Sequence, residues 1–121
     1  MKVTSVTVGL PVRDLQQAES WYRRAFELAE PAISPAPGLL ELPLGSIDLQ
    51  LVEDPAPRAG AMNGLRVGVD DAAAEHQRLT ALGIELSPLE NVPGAVDFFD
   101  FSDPDGNTLG VYSLAFGALA E

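Results

Sequence analysis

Few side chains in this sequence can support nucleophilic or acid–base chemistry. Its 121 residues include one histidine, His76, and no cysteine, so neither thiolate chemistry nor a disulfide framework is available. No Gly-x-Ser-x-Gly pattern is present, which argues against a hydrolytic triad. Phosphate loops and dinucleotide fingerprints are also missing. His76 lies in a helical pattern, and we interpret it as a half-buried or solvent-facing helical side chain.

Acidic residues dominate the charge of the chain. Eighteen Asp and Glu residues against seven Lys and Arg give a formal net charge of −11. This balance argues against nucleic acids and anionic membranes as partners, because both require basic surfaces. The charge either favours a cationic ligand or serves only solubility. Because there is neither an apolar run of 18 residues nor a signal-peptide pattern, we predict a cytoplasmic protein.

The pattern of apolar residues predicts the same order of elements twice. The first half shows a strand, a helix and two strands, at residues 3–8, from Asp14 onward, 39–42 and 47–52, with a turn at 43–46. The second half shows a strand, a helix and three strands, at residues 65–69, 70–82, 84–86, 96–101 and 108–114. Neither half buries both faces of a sheet alone, which suggests two similar modules sharing one sheet.

Three stretches resemble a known family. They are VGLPVRDL at 8–15 leading into Ser20-Trp21-Tyr22, VGVDD at 67–71 followed by LTALGI at 79–84, and FFDFSDPDGN at 98–107. Together they resemble the vicinal-oxygen-chelate superfamily of glyoxalases, bleomycin-resistance proteins and dioxygenases, over nearly the whole chain. The resemblance implies an α+β fold in which two βαβββ modules form a curled mixed sheet around a cleft, with helices on the outer face. We expect a single domain over 1–121, with modules at about 1–54 and 62–114, a linker at about 55–61 and a tail at 115–121.

Members of this family that use a metal place four ligands in the cleft. Transferred by their offsets from the helix-start aspartates and the Asn of the turn, these positions fall on Thr7, Gln50 (or Asp48 after a slip of two), Gly64 and Gly110. Glycine has no ligating side chain, and a catalytic metal needs about three protein ligands. The resemblance therefore implies a metal-free member without a cofactor.

Strand alternation extends this set to other residues of the predicted cleft. The predicted ligand-binding residues are Thr7, Asp48, Gln50, Arg66, Phe98 and Tyr112. Arg66 would bind a ligand carboxylate or carbonyl, or pair with Asp48. Tyr112 would stack on a ligand or pack in the core. Glycines at 9, 64, 68 and 110 either leave room for a flat ligand or allow strand curvature.

Adjacent aromatic residues on one strand must face opposite sides of the sheet. We predict that Phe99 and Phe101 point toward a helix and Phe98 toward the cleft. On the first helix, one of Trp21 and Tyr22 should pack against the sheet.

These features favour binding over catalysis. The first hypothesis is a metal-independent small-molecule-binding protein, similar to drug-sequestering antibiotic-resistance members of the family and, like them, a homodimer. Its ligand would be a cationic or aromatic drug or natural product. The alternatives are a metal-free enzyme, isomerase or lyase-like, acting through Arg66, Asp48 or Tyr112, and a regulatory module with no small ligand.

Overall fold

The predicted α+β arrangement is present in the computed structural model, which describes residues 1–57 and 64–114. The chain divides into two compact units, Met1–Ala59 and Gly60–Glu121, called unit 1 and unit 2 below. The elements of unit 1 are β1 (Thr7–Val12), α1 (Leu15–Phe26), β2 (Leu39–Leu44) and β3 (Ile47–Glu53). Those of unit 2 are β4 (Leu65–Gly68), α2 (Ala72–Ala81), β5 (Glu90–Val92), β6 (Val96–Ser102) and β7 (Thr108–Leu114).

The sheet of unit 1 has the strand order β1-β3-β2 and packs one face against α1. β1 runs parallel to β3, and β2 runs antiparallel to it. α1 begins at Asp14, whose carboxylate accepts the backbone N–H of Gln17 (3.0 Å). Its apolar side joins alternate strand residues in a core that contains Leu10, Val12, Ala18, Tyr22, Ala25, Leu42, Leu49 and Leu51.

The sheet of unit 2 has the order β4-β7-β6-β5 and packs against α2. β4 is parallel to β7, whereas the other pairs are antiparallel. Asp71 caps α2, and the buried Ser113 hydroxyl of β7 accepts the N–H of Ala72 (2.9 Å), which fixes the start of the helix to the sheet. The core between them contains Leu65, Ala72, Leu79, Phe99, Phe101, Leu109 and Val111.

The turn between β6 and β7 is held by a buried side-chain pair. Asp103 accepts the backbone N–H groups of Asp105 (2.9 Å) and Asn107 (2.8 Å), and the side-chain amide of Asn107 (2.7 Å). Gly106 adopts a positive φ of 87°, which glycine allows without strain. The family-like Asp-Pro-Asp-Gly-Asn stretch is therefore a structural turn.

The first strand was predicted too early in the chain. It covers Thr7–Val12 rather than 3–8, and Val3 and Val6 are exposed. Alternation alone cannot decide this boundary, which depends on where β3 begins to pair: Thr7 is opposite Asp48. Pro11 is tolerated inside the strand because β1 is an edge strand of its sheet.

Two other predicted features need correction. The predicted strand 84–86 is only one isolated bridge, between Leu86 and Phe101. The strand that pairs with β6 on the side away from β7 is β5, whose three residues are all exposed. The turn predicted at 43–46 is only Gly45-Ser46, because Pro43 and Leu44 belong to β2.

The described part of unit 1 is βαββ rather than βαβββ, and the described strands form a three-stranded sheet in unit 1 and a four-stranded sheet in unit 2. Between α1 and β2 only Ile33 forms a bridge, with Glu41, in a stretch where prolines lack the N–H that a strand ladder needs. Most of the predicted linker 55–61 and the predicted tail 115–121 lie outside the described residues.

Candidate functional site

In each unit, one face of the sheet packs on the helix and the opposite face does not; we call this second face the open face. Burial alternates along β1 and β3, so Leu10, Leu49 and Leu51 face α1 while their neighbours face the other way. Thr7, Asp48 and Gln50 are among these neighbours. Thr7 pairs in register with Asp48, and Gly9 pairs with Gln50. Both candidates for the middle-strand position therefore lie on the open face of unit 1.

The side chain of Gln50 already has a hydrogen-bond partner. Its amide donates to the carboxylate of Glu41 on β2 (2.8 Å), the residue directly opposite it in the ladder. Sequence analysis missed Glu41, although the alternation of Leu40-Glu41-Leu42 contained the signal. The open face of unit 1 thus presents an amide–carboxylate pair, which offers hydrogen bonds but no aromatic surface.

The open face of unit 2 contains an ion pair that crosses a glycine. Arg66 on β4 donates from Nη1 to Oδ1 of Asp100 on β6 (2.7 Å), over the intervening strand β7. A Cβ added at Gly110 would lie 2.5 Å from that Nη1 and 3.0 Å from that Oδ1. A side chain at 110 would therefore force the guanidinium of Arg66, the end of a flexible side chain, to shift from the position that it holds in this pair.

Asp100 corrects the prediction for Arg66. The structural partner predicted for Arg66 was Asp48, whereas the structure pairs the guanidinium with Asp100. The predicted contact of Arg66 with a ligand oxygen stays a prediction. The signal was available, because Asp100 is two residues after Phe98 and so faces the same side of β6. What the sequence could not provide was the register that brings Asp100, Gly110 and Arg66 into one row.

A second row on the same open face is aromatic. Tyr112 pairs in register with Phe98 on one side and with Gly68 on the other. Its ring lies over Gly68, where an added Cβ would be 3.0 Å from both Cζ and Oη. Phe98 is half-buried and Tyr112 is 36% exposed, so the ring of Tyr112 is not a core residue. Phe98 and Tyr112, called the aromatic shelf below, lie two residues along the strands from the Arg66–Asp100 row, a distance of about 7 Å.

The remaining aromatic residues are structural. Phe99 and Phe101 are buried on the helix side of β6, as the alternation predicted, and His76 of α2 meets the Phe99 ring edge-on (centroids 4.9 Å apart). The Nε2 atom of His76 is 2.9 Å from the carbonyl oxygen of Ser87. The interpretation of His76 as a half-buried helical side chain is confirmed.

On α1, one aromatic residue packs against the sheet, as predicted. Tyr22 is fully buried and stacks on Phe26 (centroids 5.8 Å apart), while Trp21 is half-buried and meets Tyr22 edge-on. Tyr22 therefore has no exposed ring face of the kind that Tyr112 offers on the aromatic shelf.

The residues at the four metal-ligand positions do not form a suitable donor set for a divalent ion. Thr7 and Gln50 are neutral, Gly64 and Gly110 have no side chain, and Asp48, the alternative to Gln50, would add only one carboxylate. At Gly110 the space of a side chain contains the guanidinium of Arg66, a cation. Within 1–57 and 64–114, no three His, Asp or Glu side chains cluster as a metal site would need.

Unit 1 also has a surface groove of about 380 Å³ at the end of α1 and the turn between β2 and β3. It is lined by Glu27, Leu28, Ala29, Glu30, Pro43 and Gly45. Its lining contains no aromatic or basic side chain, so a flat ligand would find nothing to stack on there.

In the described part of the chain, no helix is long and apolar enough to cross a membrane.

Comparison with known proteins identifies the fold family and its neighbours. The model of the Glyoxalase/Bleomycin resistance protein/Dioxygenase superfamily matches residues 4–111. No curated protein matches the sequence. Among solved structures, TnmS3, an antibiotic binding protein from Streptomyces sp. CB03234, is 29% identical with a TM-score of 0.79, over 95% of this chain and 99% of its own.

Two further structures share the fold at lower identity. The fosfomycin resistance protein FosX from Listeria monocytogenes is 18% identical with a TM-score of 0.77, over 98% of this chain and 95% of its own. A bleomycin resistance determinant encoded on the transposon Tn5 is 19% identical with a TM-score of 0.75, over 92% and 98%.

Proposed function

Because the chain belongs to the Glyoxalase/Bleomycin resistance protein/Dioxygenase superfamily, we propose that it is a small-molecule-binding protein that works without a metal. It holds a flat aromatic molecule against the aromatic shelf of unit 2. The observation that carries this proposal is the Tyr112 ring, which lies over Gly68 and keeps more than a third of its surface exposed. A ring so placed offers a stacking surface whose position is already fixed before a ligand arrives.

The similarity to an antibiotic binding protein supports binding over turnover. TnmS3 is 29% identical over nearly the full length of both chains. Side chains with catalytic potential are few here, and His76 is engaged with Ser87 and Phe99. Sequestration requires only complementary surface, which the aromatic shelf supplies.

The donor set supports metal independence. A divalent ion would need anionic or imidazole ligands at positions that hold Thr7, Gln50, Gly64 and Gly110. It would also be repelled by the guanidinium of Arg66, which lies within 2.5 Å of where a side chain at 110 would begin. We therefore expect ligand binding to be unchanged after exhaustive dialysis against EDTA.

Tyr112→Ala tests the shelf, with 2-ethylnaphthalene as the probe and calorimetry as the measurement. We expect a loss of binding of about tenfold, since a well-placed aromatic contact contributes about 1 kcal/mol beyond its area. Leu82→Ala is the matched control, because Leu82 has a similar exposure (38% against 36%) but lies at the end of α2. Equal binding by wild type and Tyr112→Ala would remove the shelf from the proposal.

A second measurement, with the same probes, separates binding from catalysis. Incubation with the wild type should return the probes unchanged by mass spectrometry. A product that forms with the wild type and not with Arg66→Ala would replace sequestration with a metal-free enzyme.

We also expect a homodimer, which light scattering would report as twice the mass of one chain; a single-chain mass would refute that part.

A further inference from the structure

Arg66 has a singular place among the charged groups of the sheets. It is the only Lys or Arg in the strands that the structure describes. Acidic residues on the open face of unit 2 include its partner Asp100 and, on the far edge strand β5, Glu90, and the chain as a whole carries a charge of −11. A cation at this point, in a protein that is otherwise acidic, marks the one place on the described strands where a ligand can meet a charged hydrogen-bond donor.

The Arg66 side chain is held in position by its hydrogen bond to Asp100 and keeps further N–H donors for a ligand. It contacts Asp100 through Nη1 and Oδ1, and in the described residues this is its one hydrogen bond, although a guanidinium has five N–H donors. The two side chains are 55% and 41% exposed, so most of these donors face solvent. Because Gly110 has no side chain, the paired groups of Arg66 and Asp100 lie close to the backbone of β7. Asp100 thus acts as a positioning residue, and the remaining N–H groups stay available to a ligand.

The surrounding charges decide what kind of ligand atom fits. A carboxylate would meet the neighbouring Asp100 and the negative field of the whole chain. An ammonium group would meet Arg66, and would have to displace it to reach the paired oxygen of Asp100. A neutral carbonyl oxygen accepts a hydrogen bond from the guanidinium and pays neither repulsion.

Resting on the proposed function, we propose that Arg66 is the donor of a subsite for the carbonyl-type oxygen of a neutral aromatic ligand. The ring of that ligand lies on Phe98 and Tyr112, two residues away along the strands. The two rows are about 7 Å apart along the strands, a distance that a fused ring with one carbonyl substituent can span. Arg66 therefore selects among aromatic molecules that the aromatic shelf alone would not distinguish.

The test compares four probes that share a naphthalene ring and differ in one substituent. They are 2-acetylnaphthalene, 2-ethylnaphthalene, naphthalene-2-carboxylate and 2-naphthylmethylammonium. We expect 2-acetylnaphthalene to bind the wild type about tenfold more tightly than 2-ethylnaphthalene, because a hydrogen bond to a charged donor is worth about this factor. In Arg66→Met this preference should fall to within about twofold, with the affinity for 2-ethylnaphthalene unchanged.

Lys2→Met is the matched control, since it removes the same charge from an exposed residue ahead of β1. It should keep the full preference for the acetyl probe. The melting midpoint of Arg66→Met should stay close to that of the wild type, because exposed ion pairs contribute little to stability.

The outcomes separate the two proposals. If both neutral probes bind equally and depend on Tyr112, the Arg66 subsite is wrong and the shelf stands. If the carboxylate or the ammonium probe binds most tightly through Arg66 or Asp100, the neutral-acceptor class is wrong. If no naphthalene probe binds, the proposed function itself fails.

Discussion

The open faces of the two units follow the same strand alternation but present different chemistry. In unit 1 the open face contains Thr7, Asp48 and the Gln50–Glu41 pair. In unit 2 it contains the aromatic shelf and an ion pair, each lying across a glycine. The repeated order of elements therefore gives two units with similar sheets, and the side chains on each open face determine what that unit can bind.

The glycines show this difference most clearly. An added Cβ at Gly9 of unit 1 would meet only Val52 Cγ2, at 4.0 Å, whereas at Gly68 and Gly110 of unit 2 it would enter the ring of Tyr112 or the guanidinium of Arg66. In unit 2 the missing side chains give room to neighbours on adjacent strands. Small residues at 68 and 110 thus allow large side chains to lie flat on the sheet, a role that differs from both alternatives predicted from the sequence, room for a flat ligand and strand curvature.

The largest effect that we expect concerns the turns that close the last hairpin of each unit. Asn107→Ala in unit 2 should lower the free energy of unfolding by about 2–3 kcal/mol, because it removes a buried amide and leaves Asp103 without one of its donors. Ser46→Ala in the exposed turn of unit 1 should change it by less than about 0.5 kcal/mol. Urea denaturation of both variants measures the difference; equal losses would contradict the structural role given to the Asp103–Asn107 pair.

The next effect concerns binding. Gly110→Ala should weaken 2-acetylnaphthalene about tenfold, because the new Cβ forces Arg66 away from Asp100. Gly9→Ala, the matched change on the open face of unit 1, should leave the affinity within about twofold, since its Cβ meets nothing closer than 4.0 Å. Calorimetry on both variants sharpens the comparison, and equal affinities would show that the Arg66–Asp100 geometry is not used.

A related loss of stability should come from the contact between sheet and helix in unit 2. Ser113→Ala removes the acceptor of the Ala72 N–H and should cost about 1–2 kcal/mol, the penalty for an unpaired buried donor. Ser113→Thr retains a hydroxyl and should recover part of that loss. Chemical denaturation would disprove the account if the alanine variant were as stable as the wild type.

The smallest effect should come from unit 1. Gln50→Leu breaks the hydrogen bond to Glu41 on the open face of that unit, and we expect less than a twofold change in the affinity for 2-acetylnaphthalene. A loss comparable to that of Tyr112→Ala would mean that unit 1 contributes to the ligand site, and the contrast between the two open faces would need revision.

Much of this structure could be predicted from local patterns. Alternation correctly divided Phe98 from Phe99 and Phe101, and Asp14 and the Asp70-Asp71 pair correctly marked the two helix starts. The pattern of apolar residues gave the strand-helix-strand order of each unit, and the family resemblance agrees with it. These features depend on residues close in sequence, which is why the sequence alone reveals them.

Features that depend on strand register could not be predicted in the same way. The pairing of Arg66 with Asp100 needs the alignment of three strands, and the end of β1 at Val12 depends on its pairing with β3. β5 escaped prediction because its residues are all exposed and carry no apolar period. Glu41 was missed because its partner Gln50 lies on another strand.

The central claim is that a neutral aromatic ligand binds to the open face of unit 2 without a metal. Amide chemical-shift mapping by NMR tests it most directly, on protein dialysed against EDTA and titrated with 2-acetylnaphthalene. The account predicts the largest shifts at Gly68, Gly110 and Tyr112, and small ones at Gly9 and Gln50. Shifts concentrated on unit 1, or binding that appears only after a divalent metal is restored, would contradict it.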